Sequence, residues 1–351
     1  MRTLIIPCAG KSTRFPNMKP KWLLTHPDGS LVIYKNISAL ELTKFNRVIF
    51  TIVKEHDEKY FANLILKQIF SDKKFEVCIL NDFTSGPAET VFKTISSMDI
   101  KGPVVVKDSD NLVCFTDEEL GDFVVGLQVT DKINVNRISS KSFILLNEQS
   151  NVIDIIEKKI KSDIISLGVY GFKSAEEFIE VYKSYLAEIK PNDEVFISHI
   201  ISYMIGVRRS LFNYSNAKTF EDWGTLDDWL IVQKKHSTYF FDIDGVVLKN
   251  TGKHGPKNWD NTLEPLRENV QLIRDLIING AQIVFVTSRP ETYRKNLEFF
   301  FDQENITPHA LIMGLNHASR IIINDFAPTN PYPSCQAISI PRDSSLGNYL
   351  K

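Results

Sequence analysis

Residues 3–23 read TLIIPCAGKSTRFPNMKPKWL. The first five are apolar and β-prone, so Thr3–Pro7 is predicted as a strand, and the chain leaves it directly into a glycine-containing turn. A loop in that position can aim backbone N–H groups at phosphate oxygens. Arg14, Lys19 and Lys21 add cations around Pro20, which a plain strand-to-helix turn does not need. The loop lacks both GxxxxGK[ST] and GxGxxG, so it is neither a P-loop nor the dinucleotide fingerprint. The competing reading is a plain turn with solvated lysines.

Outward from this stretch, apolar β-rich runs alternate with amphipathic ones. Strands are predicted at 48–53, 77–80, 104–106, 123–129 and 165–172, and helices at 33–42, 57–70, 89–97, 175–183 and 194–204. Such alternation implies α/β layers with a largely parallel sheet. The pattern restarts at Thr238, with strands predicted at 238–242, 282–286 and 320–324 and a helix at 266–279. Two closely packed α/β domains are expected, 1–235 and 236–351, joined without a Gly/Pro/Ser-rich linker around IVQKKHS (231–237).

The length, 351 residues, agrees with two domains. With 43% apolar and 24% charged residues, the chain is not disordered, collagen-like or a coiled coil. It carries 41 basic against 43 acidic residues, a net −2, so no basic excess argues for nucleic-acid binding. Cys8, Cys78, Cys114 and Cys335 form no CxxC pair and read as buried thiols of a reducing compartment. No apolar run reaches the ~18 residues of a membrane span, and the first apolar run is short for a signal-peptide core. A cytoplasmic location without a membrane partner is the expectation.

The entry segment Ala9-Gly10-Lys11-Ser12-Thr13-Arg14-Phe15 followed by Pro20-Lys21-Trp22-Leu23 resembles AGxGTRF…PK-x-L of the sugar-phosphate nucleotidyltransferases, or NDP-sugar pyrophosphorylases. Ser12 stands where that family usually has glycine. Later segments match in the same order over roughly residues 1–230. Thr84–Ala88, with Gly86, resembles the loop that meets nucleobase and ribose. Asp108-Ser109-Asp110, at a strand end, resembles the metal-binding Asp turn. Glu157-Lys158 resembles the element whose Lys holds the acceptor phosphate, and Ser166–Phe172 the strand after it. Asp222-Trp223-Gly224-Thr225 resembles the turn supplying the second metal-binding Asp. The resemblance implies a GT-A/Rossmann-like fold, nucleotide contacts from Ala9 through Arg14, Lys21 and Gly86, and an Mg²⁺ held by Asp110 and Asp222 with Asp108 as alternate. Arg14 and Lys21 would cradle the triphosphate and Lys158 would orient the attacking phosphate. The chemistry agrees, because transfer between two anions is mostly positioning and charge neutralisation, and Mg²⁺ takes hard oxygen ligands. Plainer readings stand beside these: a solvated turn for Asp108 and Asp110, a helix N-cap for Asp222, and a basic surface strand for Lys158 with Lys159 and Lys161.

In the second half, Tyr239-Phe240-Phe241-Asp242-Ile243-Asp244-Gly245 is a hydrophobic strand ending in DxDG, and lacks the acidic ladder of a calcium loop. It resembles the haloacid dehalogenase (HAD) superfamily. That resemblance implies Asp242 as nucleophile and Asp244 as acid, then base. It also implies phosphoryl contacts from Thr287 and Ser288, and Mg²⁺ bound by Asp242, Asp244 and Asp325. The family's phosphate-binding Lys is not obvious, and Arg320 is taken as its substitute; Asn324 stands where a second Asp is common. The gaps from Asp244 to Thr287 and on to Asp325 leave no room for a large cap, so a capless HAD-like Rossmannoid domain is expected. Segment 250–261, with Lys253, His254, Lys257 and Trp259, would be a flap at its mouth.

The combined expectation is a bifunctional enzyme of surface-polysaccharide precursor synthesis. It would join an NTP, with CTP slightly preferred, to a sugar or polyol phosphate, and hydrolyse a phosphate monoester, possible homo-oligomerisation included. The alternatives are a nucleotidyltransferase with a structural or weakly active HAD-like domain, or a nucleotide-sugar glycosyltransferase-like first domain.

Overall fold

The structure, a computed structural model, describes residues 2–15, 18–116, 121–129, 138–190, 194–260, 263–325 and 334–350. It divides into two units, Met1–Trp229 and Leu230–Lys351, the division falling inside the helix Leu226–Lys235.

Unit one is built on strands β1 (Thr3–Pro7), β2 (Arg47–Val53), β3 (Phe75–Leu80), β4 (Val104–Lys107), β5 (Asn111–Phe115), β6 (Phe123–Gln128), β7 (Ser142–Leu146), β8 (Asn151–Glu157), β9 (Ile164–Phe172) and β10 (Phe212–Asp222). Their order is β3-β2-β1-β4-β9-β6-β10-β8-β7, with β5 pairing β10 and β7 also touching β9. From β3 to β4 the pairing is parallel. Beyond β4 it is mostly antiparallel, with β6–β10 the parallel exception.

The first strands read as unbroken apolar runs because both faces of the sheet are covered. Ile5, Ile49 and Val104 enter one core, whereas Leu4, Phe50 and Val105 enter the other. Strands β5, β7, β8 and β10 escaped the sequence reading. β10, FNYSNAKTFED, is largely polar and half-exposed, and is a strand because partners flank it. The helix expected at 57–70 is two helices, Lys54–Tyr60 and Ala62–Ile69, broken where Phe61 turns left-handed at φ 54°. Helix Ala175–Ile189 runs past its expected end, and Ser174 caps it by accepting from the Glu177 N–H at 3.0 Å.

Unit two has a parallel sheet in the order β11 (Thr238–Asp242), β12 (Gln282–Val286), β13 (Ala310–Ile312). Phe241, Ile243, Val270, Ile273, Phe285 and Phe301 form its core. The strand expected at 320–324 is not formed. That segment is irregular and exposed, Ile323 reaching 92%, and the third strand is β13 instead. An isoleucine run has strand propensity, but a strand also needs a hydrogen-bonding neighbour, and this segment has no ladder partner among the described residues. The thiols divide as well: Cys8 and Cys78 are buried, Cys114 is half-buried and Cys335 is exposed, contrary to the reading of four buried thiols.

Gly171 in β9 faces the ring of Phe123 in β6. A Cβ added there would lie 2.0 Å from Phe123 Cε1. Gly171→Ala should therefore overpack the centre of the sheet and destabilise the chain by about 1–3 kcal/mol, read as a lower melting temperature.

Candidate active site

The glycine loop begins on firm ground. The Cys8 N–H donates to Thr51 O at 2.8 Å and Ala9 is fully buried, so β2 holds the base of the loop. Burial pushes the Cys8 thiol pKa well up, which keeps it a neutral packing group. From Gly10 the chain emerges, with Lys11, Thr13 and Arg14 exposed. Ser12 adopts φ 50°, the left-handed region in which glycine is at ease, and its carbonyl accepts from the Phe15 N–H at 2.9 Å. The resemblance had put glycine here, and the backbone explains why. Serine holds the turn at a strain of roughly 1–2 kcal/mol.

The acidic turns come together. β5 and β10 pair with Asp222 opposite Asn111, and the Trp223 N–H donates to Asp110 O at 2.9 Å. Gly224 lies between the two carboxylates. A Cβ built there would sit 3.1 Å from both Asp110 Oδ2 and Asp222 Oδ1, and its N–H already donates to Asp222 Oδ1 at 3.0 Å. Lys21 is ion-paired with Asp110, and Lys141 with Asp222. Burial works to raise the Asp110 pKa, but Lys21, Lys141 and Lys107 outweigh it and hold the carboxyl below its ordinary value. At Asp222 burial wins, so its pKa is raised despite Lys141.

Asp108 sits deeper. Its N–H donates to Gly168 O at 2.7 Å, and Gly168, at φ 70°, leaves space that a Cβ would fill against the Asp108 carboxyl. Burial, then the charge of Asp110, push the Asp108 pKa up. Lys107 is fully buried beneath the turn and donates to Asp108 O at 3.0 Å and Asn111 O at 3.1 Å. Asn36 Nδ2 donates to the same two carbonyls. The turn is therefore shaped from below by Lys107 and Asn36.

Glu157 ends β8 as an acceptor from Ser142 and from Ser198 Oγ, the latter at 2.6 Å. Lys158 follows at φ 54°, its ammonium 4.0 Å from the centre of the Phe196 ring. Gly86 packs on the chain before helix Ile197–Gly206, where a Cβ would lie 2.7 Å from Val195 O. Glu194 stands there within the fields of Lys158, Arg14 and Lys21, and burial raises its pKa. Lys107, Asn36, Lys141 and Glu194 were missed by the sequence reading. Lys141 and Glu194 come from loops whose position only the assembled sheet fixes.

In unit two, Asp242 ends β11 beside the end of β12, where Thr287 follows. Partial burial, then the charge of Asp244, raise the Asp242 pKa, while Arg320 pulls it down. Arg320 Nη2 donates to Ser288 Oγ at 3.4 Å. Asp242, Asp244, Thr287, Ser288 and Arg320 thus gather at one sheet end. Asp325 does not join them; it is exposed beyond the unformed strand, and its carbonyl accepts from Ser334. The expected trio Asp242, Asp244 and Asp325 is not assembled, since no group of three or more His, Cys, Asp and Glu is gathered among the described residues. Asp244 is held by a residue the sequence reading had not assigned. Arg289, 2% exposed, donates to it through Nε at 3.0 Å and Nη2 at 2.7 Å. Asn258 of the expected flap donates to Asp244 Oδ1 at 3.4 Å; residue 261 of that segment lies outside the described residues.

No helix among the described residues is long and apolar enough to cross a membrane. No protein-family model matches the sequence, and no curated protein sequence matches it. Solved structures do resemble the fold. A nucleoside-diphosphate-sugar pyrophosphorylase from Vibrio cholerae RC9 matches at TM-score 0.56 and 21% identity, over 65% of this chain and 98% of that one. The inositol-1-phosphate CTP transferase from T. maritima matches at TM-score 0.50 and 14% identity, over 65% and 91%. A UDP-glucose pyrophosphorylase crystallised with UDP-glucose matches at 0.51 and 16%, over 66% and 97%. The chain therefore shares the α/β fold of nucleotide-sugar pyrophosphorylases and CTP transferases over about two thirds of its length. These likenesses do not extend to a HAD domain.

The strain at Ser12 separates two substitutions. Ser12→Gly should leave the melting temperature within a few degrees, since relief of strain and gain of unfolded-state entropy oppose each other. Ser12→Val, β-branched at positive φ, should destabilise by about 1–3 kcal/mol, read as a lower melting temperature.

Proposed function

We propose that unit one transfers a nucleotidyl group from an NTP to a sugar or polyol phosphate, with release of pyrophosphate. The observation that carries this is the convergence of Asp110 and Asp222 on Gly224, beside Lys21 and below an exposed glycine loop, in a pyrophosphorylase-like fold. In the reaction an oxygen of the acceptor phosphate attacks the α-phosphorus, the bond to the β-phosphate oxygen breaks, and pyrophosphate leaves with that electron pair. Loop N–H groups, Arg14 and Lys21 hold the triphosphate against its own charge. Lys158 aligns the attacking phosphate. Gly86 and Glu194 border the base and ribose.

Two carboxylates side by side suit Mg²⁺, which commonly takes one or two carboxylates and completes its shell with phosphate and water oxygens. The described residues hold no larger cluster of His, Cys, Asp and Glu. Asp110 and Asp222 would hold the ion, which would neutralise charge building on the phosphates. CTP is slightly preferred over UTP, GTP and dTTP as donor, because the domain is compact and the described residues after it form no β-helix. Asp110→Asn and Asp222→Asn should each lower pyrophosphate release by about 10²-fold or more in a panel of NTPs against phosphorylated sugars and polyols. Near-normal release by either variant removes that residue from the site.

For unit two the proposal is hydrolysis of a phosphate monoester in the same pathway. Asp242 would take the phosphoryl group as the ester oxygen departs with a proton, and water would then release phosphate. Support comes from Asp242, Thr287, Ser288 and Arg320 at one sheet end. Arg289 clamps Asp244 through two N–H donors, and the acid role needs a proton on that same carboxyl. Because the clamp and the displaced Asp325 both oppose turnover, a structural or weakly active unit two is the second reading. Asp242→Asn should abolish phosphate release across a panel of phosphate esters, bisphosphorylated sugars included, and leave nucleotidyl transfer unchanged. A wild-type chain inactive on the whole panel decides for the second reading.

A further inference from the structure

Asp110 and Asp222 each carry an ammonium of their own. Lys21 lies on Asp110 and belongs to the entry segment, whereas Lys141 lies on Asp222 and comes from a loop far from that segment in sequence. Lys141 is 19% exposed and stands 5.8 Å from the centre of the Phe220 ring, so its ammonium is partly stripped of water. Its backbone carbonyl accepts from the Lys158 N–H at 3.1 Å, so Lys141 and Lys158 are tied at one point of the backbone.

We propose that Lys141 is a built-in counter-cation of the Asp110–Asp222 pair, displaced from Asp222 by an incoming divalent cation and transferred to the acceptor phosphate, which it clamps together with Lys158. This deepens, and rests on, the nucleotidyltransferase reading of the same site. The physical ground is charge balance. Two partly buried carboxylates facing each other across Gly224 repel, and need a cation at every stage. A divalent ion supplies it once substrate is present, and Lys141 supplies it before. After the exchange a partly desolvated ammonium is left unpaired. A phosphate monoester dianion arriving beside Lys158 provides its new partner and gains a second cation. Lys141 thereby links metal entry to acceptor binding.

An ordinary structural ion pair and a displaceable counter-cation predict opposite outcomes when the charge is removed. Binding of Mn²⁺ alone to the full-length chain, followed by electron paramagnetic resonance of the free ion, distinguishes them. Lys141→Met should bind Mn²⁺ at least about fivefold tighter than wild type, since a competing charge is gone. Lys141→Gln, which still donates a hydrogen bond to Asp222, should do the same and guards against misfolding of the Met variant. Lys141→Arg should bind no tighter than wild type, and Asp222→Asn should lose the ion. In transfer assays Lys141→Met should raise the KM for the acceptor phosphate about tenfold while the KM for NTP stays within twofold. Unchanged or weaker Mn²⁺ binding by the Met and Gln variants, with the wild type binding and Asp222→Asn not, overturns the counter-cation alone. A tighter Mn²⁺ site with no change in acceptor KM overturns the transfer to the acceptor. Absence of Mn²⁺ binding in every variant overturns the metal reading of Asp110 and Asp222 along with it.

Discussion

Two carboxylates held side by side at the end of an antiparallel ladder are the constraint around which unit one is arranged. β5 and β10 meet so that Asp222 lies opposite Asn111 and the chain beyond it returns to Asp110. Like charges at that spacing are unfavourable in partly buried surroundings, and the structure answers with three lysines. Lys21 and Lys141 pair with the carboxylates, and the fully buried Lys107 braces the turn from below while its charge lowers the Asp110 pKa. A buried ammonium is costly unless its donors are met, and Lys107 finds Asp108 O and Asn111 O. The acidic turn is thus a balanced assembly in which glycines at 168 and 224 leave room for carboxylates rather than Cβ atoms.

The same logic explains why the glycine loop and the acidic turn belong to one site. β1 lies directly beside β4 in the sheet, so the chain leaving β1 at Pro7 and the chain leaving β4 at Lys107 emerge at the same end. The loop brings exposed cations to that end and the turn brings anions. An anionic substrate needs the first, and a hard cation bridging to it needs the second. Unit two repeats the principle on a smaller sheet, where parallel β11 and β12 deliver Asp242 and Thr287 to a common edge. There the balance differs, because a buried guanidinium donates to Asp244 through two N–H groups, and among the described residues no group of three or more His, Cys, Asp and Glu is gathered.

How far the sequence could be read varies along the chain for physical reasons. β1, β2 and β4 were legible because strands covered on both faces must be apolar throughout. β10 was not, since its polar sequence carries no alternation and its partners lie far along the chain. The isoleucine run after Arg320 misled in the opposite direction. Helix boundaries slipped where one residue changed hand, as at Phe61, a conformation that propensity does not announce.

By itself the sequence determined the chemistry at each strand end: a glycine loop with Arg14 and Lys21, an acidic turn at Asp108 and Asp110, a second at Asp222, and the Asp242–Asp244 pair. Local order suffices for this, because residues on a short turn stay together whatever the rest of the chain does. Tertiary structure alone decided which of these ends meet. It joined Asp110 to Asp222 through a ladder between strands about a hundred positions apart in sequence. It placed Lys141 on Asp222 and Arg289 on Asp244, and it left Asp325 outside. Such pairings depend on strand register and on which neighbour completes a sheet. Both are set by hydrogen bonds and packing between distant segments, which no local pattern encodes.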